Sequence, residues 1–371
     1  MPSQSKREPK FVILDANVLI GDYWLRSPSF SLLREFLKNS KAALVVPKIV
    51  FEEVVNHHRE DVRKLKADIQ DNLRESSRLL RDASAAKWLI ELNRREAKEP
   101  YENFLTSELT NLGAVIPDYG GIPHSDVVQR DLRRRRPFQQ SGKGYRDTLL
   151  WETILRGYVL PDALTVIVSQ NSRDFSSGDG RLHKDLFQDI LSLRKGSNTQ
   201  VELSPSLLAF TDSYIVPHLT RRKEFAVLVQ NNKVQGLVLG EVCERYMDAL
   251  VTAVNEDRWV MTDSSYDPDV DVIELSGDYV VDEVSQVSRN VLLVEFGFSA
   301  SVSFTYFLPM SDYYAMDEKE TENIAVLDPN WNESVMHVES SAMISFSCRL
   351  TFNTKTKKVE SFEVDSVEEA T

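Results

Sequence analysis

Hydrophobic and polar positions divide the chain into two stretches with different periods. In the first stretch, short apolar runs at 11–20, 42–47 and 164–169 alternate with segments whose apolar residues recur at helical spacing. Continuous apolar runs of this length are typical of parallel strands covered on both faces. The alternation of strand and helix across 11–195 therefore predicts an α/β layer built on a parallel sheet.

Helical spacing fills the intervals between these runs and predicts six helices. Ser125 precedes one of them as a favourable N-cap residue, and Pro100 ends the longest. We expect the six helices over 27–39, from 49 to about 95, and over 101–111, 125–132, 145–156 and 184–193.

The pattern changes after about residue 200. Helical spacing at 204–216 and 236–254 comes first, and from Val270 onward apolar and polar residues alternate with a period of two. Such alternation is typical of antiparallel strands with one face in water. We therefore predict two domains, 1–200 and 201–371, of which the second is a smaller α+β domain with antiparallel strands.

Charge differs sharply between the two stretches. The 371 residues include 44 basic and 57 acidic side chains, a net charge of −13, yet residues 1–220 carry +3 and the remainder −16. Two distant cysteines exclude a disulfide scaffold and a cysteine-based zinc site. The polar N-terminus and the lack of a long apolar run lead us to expect a soluble cytoplasmic protein without a membrane partner.

Acidic side chains stand where the predicted strands end. Asp15 interrupts the first apolar run, Glu52 and Glu53 follow the second, and Asp174 follows the third, while Asp147 lies in the first turn of an apolar helix. Each has an ordinary structural explanation as a cap, a turn or part of a charged helix surface. Strand-end acids from separate segments nevertheless converge if the sheet is parallel.

Several carboxylates in one pocket repel each other strongly. They remain ionised together only if a cation neutralises them. Hard oxygen ligands suit Mg²⁺ or Mn²⁺, and two such ions about 4 Å apart can stabilise the attacking and leaving oxygens of a phosphodiester. The acidic residues therefore indicate a carboxylate-bound metal centre for phosphodiester hydrolysis.

Four motifs make the first stretch similar to the PIN-domain nucleases. They are LDANVLI at 14–20, VPKIVFEEVVNH at 46–57, GYRDTLLWETIL at 144–155 and VIVSQNSRDF at 166–175. The last two resemble the larger bacterial PIN group. The resemblance covers about residues 10–195 and implies a PIN-like parallel sheet flanked by helices, with 57–143 as a long helical and basic insertion. It does not account for residues 200–371.

The resemblance also implies a metal-dependent endoribonuclease. Its acidic cluster corresponds to Asp15, Asp147, Asp174 and one of the two adjacent glutamates, and Glu53 fits better than Glu52 because an aliphatic residue follows it. The resemblance further assigns helper roles to two amides in catalysis, Asn17 and Asn171. Neutral Asn171 leaves Asp174 as the charged residue of its loop.

A cluster of basic residues lies immediately before Asp147. As a solvated helix terminus it would be favoured by the helix dipole. As a phosphate-binding rim beside the metal centre it would exploit the fixed donor geometry of arginine. The predicted nucleic-acid contacts are Arg133, Arg134, Arg135, Arg136, Lys143 and Arg146.

The sequence leaves three functions open. The first is an RNA-cleaving enzyme, in the manner of toxin, stress or phage-defence nucleases; the second is a catalytically weak PIN-like RNA-binding or assembly module. The third is a structure-specific nuclease acting on DNA, including single-stranded DNA. The acidic domain, as a regulatory or oligomerising element, or an inhibitory partner protein could restrain the activity, and homo-oligomers remain open.

Overall fold

The structure is a computed structural model that forms two compact units, the first ending at His218 and the second beginning at Leu219. Each unit has its own sheet. The residues that the structure describes are 7–79, 100–138, 143–177, 181–193, 200–221, 234–256, 266–316, 321, 323–332 and 334–370.

The first unit is built on a four-stranded parallel sheet, which confirms the predicted α/β class. Its strands are β1 (Phe11–Leu14), β2 (Ala43–Val45), β3 (Leu164–Val168) and β4 (Gln200–Ser204). The strand order is β2-β1-β3-β4, and every neighbouring pair is parallel. Because β4 completes this sheet, the first unit extends past residue 200 to His218.

Helices surround this sheet and connect its strands. Their bounds are α1 (Ala16–Ile20), α2 (Pro28–Asn39), α3 (Lys48–Leu79), α4 (Tyr101–Asn111), α5 (His124–Leu132), α6 (Tyr145–Gly157), α7 (Ser172–Phe175), α8 (Lys184–Leu193) and α9 (Leu207–Tyr214), with a 3₁₀ turn at Val216–His218.

Two central strands define the edge at which the polar residues gather. All five residues of β3 are buried, and Leu14 of β1 lies opposite Val168 of β3. The chain leaves β1 towards β2 on one side, whereas β3 continues to β4 on the other. Ligands bind beyond the carboxyl ends of strands at such a switch point.

The second unit is an antiparallel sheet with helices, as predicted. The helices are α10 (Val234–Arg245), α11 (Met247–Glu256) and α12 (Met310–Tyr313), and the strands are β5 (Thr220–Arg221), β6 (Tyr266–Ser288), β7 (Val291–Pro309), β8 (Ile324–Asp328), β9 (Val335–Asn353) and β10 (Lys358–Glu369). Five strands of the six-stranded sheet follow the order β10-β9-β7-β6-β5, and the sixth, β8, pairs with β9 outside this order.

The prediction that Ser125 is an N-cap was wrong. The helix α5 begins at His124, and Pro123 occupies the N-cap position without a side-chain hydrogen bond. The helical pattern at 236–254 is confirmed, and the structure divides it into α10 and α11. The predicted part of the long helix over 80–95 lies outside the described residues.

A buried ionic network fixes the segment that follows α5. Arg130 is 7% exposed, and its Nη2 lies 2.5 Å from Oδ2 of Asp189 while its Nη1 lies 3.5 Å from Oε1 of Glu152. The same Asp189 accepts hydrogen bonds from Nε1 of the fully buried Trp151, at 2.9 Å, and from Nη2 of Arg135, at 2.7 Å. Asp189 therefore joins α5, α6 and α8.

We expect Asp189→Ala to lower the free energy of unfolding of the first unit by about 3–5 kcal/mol, because Arg130 would lose its closest carboxylate in a buried position. Calorimetric or urea unfolding of the full chain measures this change. Asp68→Ala is the matched control on an exposed helical position, and should stay within about 0.5 kcal/mol of wild type. Equal stability of both variants would contradict the assigned role of Asp189.

Candidate metal centre

Asp15 lies at the junction of β1 and α1, directly beyond the sheet edge. Its backbone N–H donates to the carbonyl of Val168 at 3.0 Å, and its side chain is 7% exposed. Oδ1 accepts from the N–H of Ala16 at 2.7 Å, and Oδ2 accepts from Oγ of Ser169 at 2.5 Å. Burial raises the pKa of Asp15; these two hydrogen bonds oppose the rise, and the charge of Asp174 adds to it.

Glu53 reaches the same region from the second turn of α3. Its Oε1 lies 2.7 Å from Nη1 of Arg146. Burial is the main cause that raises the pKa of Glu53, and the negative charge of Asp15 adds to the rise. Charge interactions with Arg146 and His57 lower this pKa. Glu52 is exposed and accepts a hydrogen bond from Oη of Tyr119 at 2.7 Å. Of the two adjacent glutamates, Glu53 is therefore the one coupled to the other acids.

Asp147 lies in the first turn of α6, and Gly144 is the N-cap residue of that helix. Gly144 has φ of 116°, and a Cβ there would lie 2.6 Å from the carbonyl oxygen of Pro137. Only glycine fits both the left-handed backbone and this close approach. The half-buried Asp147 has its pKa raised from 3.8 to about 6, first by burial and then by the charges of Asp174, Asp15 and Glu53.

Asp174 completes the acidic group from the short helix α7. Its side chain is 5% exposed, and its Oδ1 lies 3.4 Å from Nη1 of Arg136. The backbone N–H of Arg136 donates to Oδ2 of Asp185 at 3.1 Å. Arg136 is thus held from two directions and places its positive charge at the buried carboxylate.

Two amides and one hydroxyl connect the loops that carry the acids. Asn17 donates from Nδ2 to Oδ2 of Asp15 at 3.4 Å and accepts from the N–H of Gln170 at 3.3 Å. Asn171 donates from Nδ2 to Oδ1 of Asp147 at 3.4 Å, and its backbone N–H donates to Oγ of Ser169 at 3.0 Å. These contacts place both predicted helper amides beside the carboxylates.

The role of Ser169, which ends the third apolar run, does not follow from the sequence pattern. Its hydroxyl donates to Oδ2 of Asp15 and accepts from the backbone N–H of Asn171. It is 7% exposed. Its position in the sequence was the available signal, because Ser169 directly follows β3 as Asp15 directly follows β1, and adjacent parallel strands bring their ends together.

The four acids share one electrostatic environment. The charges of the other three acids raise the pKa of Asp147, the charge of Asp174 raises the pKa of Asp15, and the charge of Asp15 raises the pKa of Glu53. Two guanidinium groups and the Ser169 hydroxyl compensate part of this charge. Within the described residues, no group of three or more His, Cys, Asp or Glu side chains has the geometry of a formed metal site.

The donor set nevertheless fits a hard divalent cation. All four charged candidates offer carboxylate oxygen, the ligand that Mg²⁺ and Mn²⁺ favour. The raised pKa of Asp147 arises partly from three neighbouring negative charges. A bound cation would remove that repulsion.

The six predicted nucleic-acid contacts fall into two groups. Arg133, Lys143 and Arg146 are exposed, as is Arg134, whose Nη1 lies 2.8 Å from Oδ1 of Asp131. Arg135 and Arg136 are half-buried and pair with Asp189 and Asp174 respectively. Part of the basic segment therefore builds the site itself.

Comparison with known proteins gave one family match. Residues 12–175 match the family described as PIN domain. The comparison with curated proteins gave no match, and neither did the comparison with solved structures. Among the described residues, no helix combines the length and the apolar character needed to cross a membrane.

Without metal, Asp147→Asn should raise the melting temperature at pH 7.5. Because the folded pKa of Asp147 is raised, the stability tied to this group is present below 3.8 and is lost as pH rises through about 6. Asparagine keeps the acceptor for Asn171 and removes the charge. Allowing for partial exposure, we expect about 1–2 kcal/mol, or roughly 2–6 °C.

Thermal unfolding in EDTA from pH 3.5 to 7.5 checks this expectation. The difference between variant and wild type should vanish at the acid end, where Asp147 is protonated in both states. Asp68→Asn, at an exposed position of α3, is the control and should match wild type throughout. A difference that does not depend on pH would show that the charge is not its cause.

Proposed function

We propose that the first unit of this chain, in which residues 12–175 match the PIN-domain family, is a Mg²⁺- or Mn²⁺-dependent endoribonuclease. PIN domains are a nuclease fold and are generally metal-dependent. The observation that supports the proposal most is the mutual electrostatic coupling of Asp15, Glu53, Asp147 and Asp174 at the sheet edge. We propose RNA rather than DNA as the substrate because the four sequence motifs resemble those of PIN-domain nucleases, and this resemblance implies an endoribonuclease.

The same four carboxylates would hold the cation. Once bound, a divalent ion supplies charge stabilisation at the phosphoryl oxygens and lowers the pKa of water for hydrolysis. Asp15 is already oriented for this role by the Ala16 N–H and the Ser169 hydroxyl. Such outer partners fix the direction of the ligand oxygens before the ion arrives.

Two arginines are proposed to exchange partners when the site is loaded. Arg146 pairs with Glu53 and has 62% of its side chain exposed, and Arg136 pairs with Asp174 with 32% exposed. If the carboxylates of Glu53 and Asp174 held a cation, the two guanidinium groups would be able to bind phosphate oxygens instead. Both arginines would then hold the RNA backbone next to the acids.

A second candidate function has its own supporting observation. The ion pairs of Arg146 and Arg136 already neutralise two of the four acids. If these pairs outcompete the cation, the domain would bind RNA without cutting it. The same metal centre could also act on DNA, and sensitivity to the ribose 2′-hydroxyl distinguishes the two nuclease substrates.

A cleavage assay on matched single-stranded RNA and DNA tests the proposal, with Mn²⁺, Mg²⁺ or EDTA. We expect RNA cleavage that requires metal and falls in Asp15→Asn, Asp147→Asn and Glu53→Gln. Each loss should exceed the roughly 10- to 100-fold that removal of an outer-shell partner costs. Glu52→Gln is the matched control and should cleave like wild type.

The possible outcomes separate the candidates. Cleavage of DNA in preference to RNA would support the DNA nuclease. RNA binding without cleavage in any metal would support the binding module. Equal losses in Glu52→Gln and Glu53→Gln would contradict the assignment of Glu53 as the ligand.

Ser169→Ala should weaken Mn²⁺ binding by roughly 10- to 100-fold, because the hydroxyl orients Asp15 and supports the Asn171 backbone. Titration calorimetry of the full chain measures the affinity directly. Ser192→Ala, on the exposed surface of α8, is the control. Unchanged Mn²⁺ affinity in Ser169→Ala would remove Ser169 from the centre.

A further inference from the structure

An exposed tryptophan stands at the end of the segment that carries Asp15. Trp24 is 45% exposed and is contacted edge-on by three rings, with centroid separations of 4.8 Å to Phe104, 5.8 Å to Tyr101 and 6.1 Å to His58. His58 and Tyr101 are themselves stacked at 4.0 Å. The Trp24 ring is therefore held in place while much of its surface meets solvent.

This aromatic cluster is joined to the candidate metal centre along α3. Glu53, His57 and Asp61 follow one another at intervals of four residues and share a face of the helix. Oη of Tyr23, the neighbour of Trp24, donates to Oδ2 of Asp61 at 2.7 Å and lies 3.3 Å from Nδ1 of His57. His57 in turn acts electrostatically on Glu53.

Trp24 also borders a groove that runs between α2 and α4. The groove has a volume of about 750 Å³ and is lined by three cationic residues and one acid, Glu108. The cations are Arg26, Arg34 and Lys38, and the guanidinium carbon of Arg26 lies 5.8 Å from the Trp24 ring centroid. Arg34 pairs with Glu108 at 2.7 Å, which leaves Arg26 and Lys38 as the cations beside the flat aromatic surface.

We propose that this groove binds single-stranded RNA, with a base stacked on Trp24 and the backbone phosphates bound by Arg26 and Lys38. The inference rests on the proposed function for the identity of the nucleic acid. It extends that function by adding a substrate-binding track along α2 and α4, outside the acidic centre and outside the arginine segment before Asp147.

The chemistry of the groove favours a single strand over other ligands. An unpaired nucleotide presents a flat base and a phosphate close together, and both find partners here. A duplex keeps its bases stacked inside and offers the groove only phosphates. Lys38 forms an ion pair with Glu35, and their side chains are 65% and 25% exposed. Such an exposed ion pair is weak, so a phosphate can replace Glu35 as the partner of Lys38.

Binding is measured on the full chain in EDTA, where cleavage does not intervene. The probe is a fluorescein-labelled RNA of mixed sequence, about 20 nucleotides long, followed by anisotropy. We expect Trp24→Ala to weaken binding roughly 10-fold, in line with the loss of one stacked base, and Trp24→Phe to retain most of the affinity. Arg26→Ala should weaken binding and reduce its dependence on salt.

Matched controls come from the second unit. Trp331 is 56% exposed and packs beside Phe307 and His337, so Trp331→Ala removes an equally accessible indole. Arg289→Ala removes an exposed arginine. Both controls should bind the RNA as wild type does, and thermal unfolding identifies any variant that has lost its fold.

Photo-cross-linking of RNA containing 4-thiouridine to the wild-type chain provides a readout that needs no variant. Mass spectrometry should locate a cross-link in the peptide that contains Trp24 and Arg26. The proposal is overturned if the cross-links avoid this peptide and folded Trp24→Ala binds RNA like wild type. It is also overturned if poly-glutamate displaces the RNA and a duplex of equal length binds as tightly as the single strand.

Failure of this inference is distinguishable from failure of the proposed function. Metal-dependent cleavage by wild type, with unchanged RNA binding in Trp24→Ala, would retain the nuclease and reject the groove. Trp24-dependent binding without cleavage in any metal would retain the groove and favour the binding module.

Discussion

Repulsion among carboxylates at one edge of the parallel sheet is the constraint on which the rest of the first unit depends. Asp15 and Asp174 are 7% and 5% exposed, so water screens their charges poorly. The backbone brings the acids together because β1 and β3 pair in register up to Leu14 and Val168, and the chain turns polar immediately afterwards. The interactions that stabilise the folded unit must therefore outweigh the repulsion among these carboxylates. A bound cation would reduce that repulsion.

The arginine-rich segment resolves part of the same problem within the chain. Asp189 binds both Arg130 and Arg135, and this anchoring lets the next residue, Arg136, meet Asp174. A run of four arginines thus has members that stabilise the fold and members that remain exposed to solvent. Asp189 therefore supports both the packing of the unit and the counter-charge at the site.

The sequence predicted those features that follow from local pattern and strand order. Apolar runs indicated the parallel sheet, and an acid at the end of a run, such as Asp15, indicated the sheet edge. Pairing between distant segments was not predictable, because nothing local shows that the Ser169 hydroxyl meets Asp15, 154 positions away in the chain, or that Arg136 meets Asp174. The Ser125 cap failed for a related reason, since backbone geometry at Pro123 decided where α5 begins.

Helix α3 gives the acidic centre and the aromatic groove a common support. Residues four apart on a helix share a face, so Glu53 is followed along α3 by His57 and Asp61. Tyr23 binds Asp61 and fixes the chain from which Trp24 projects. Asp15 and Trp24 lie close in sequence, with α1 between them. A substrate that binds both regions would therefore follow one rigid helix, and the geometry of that helix would set the register between the stacked base and the bond at the acidic centre.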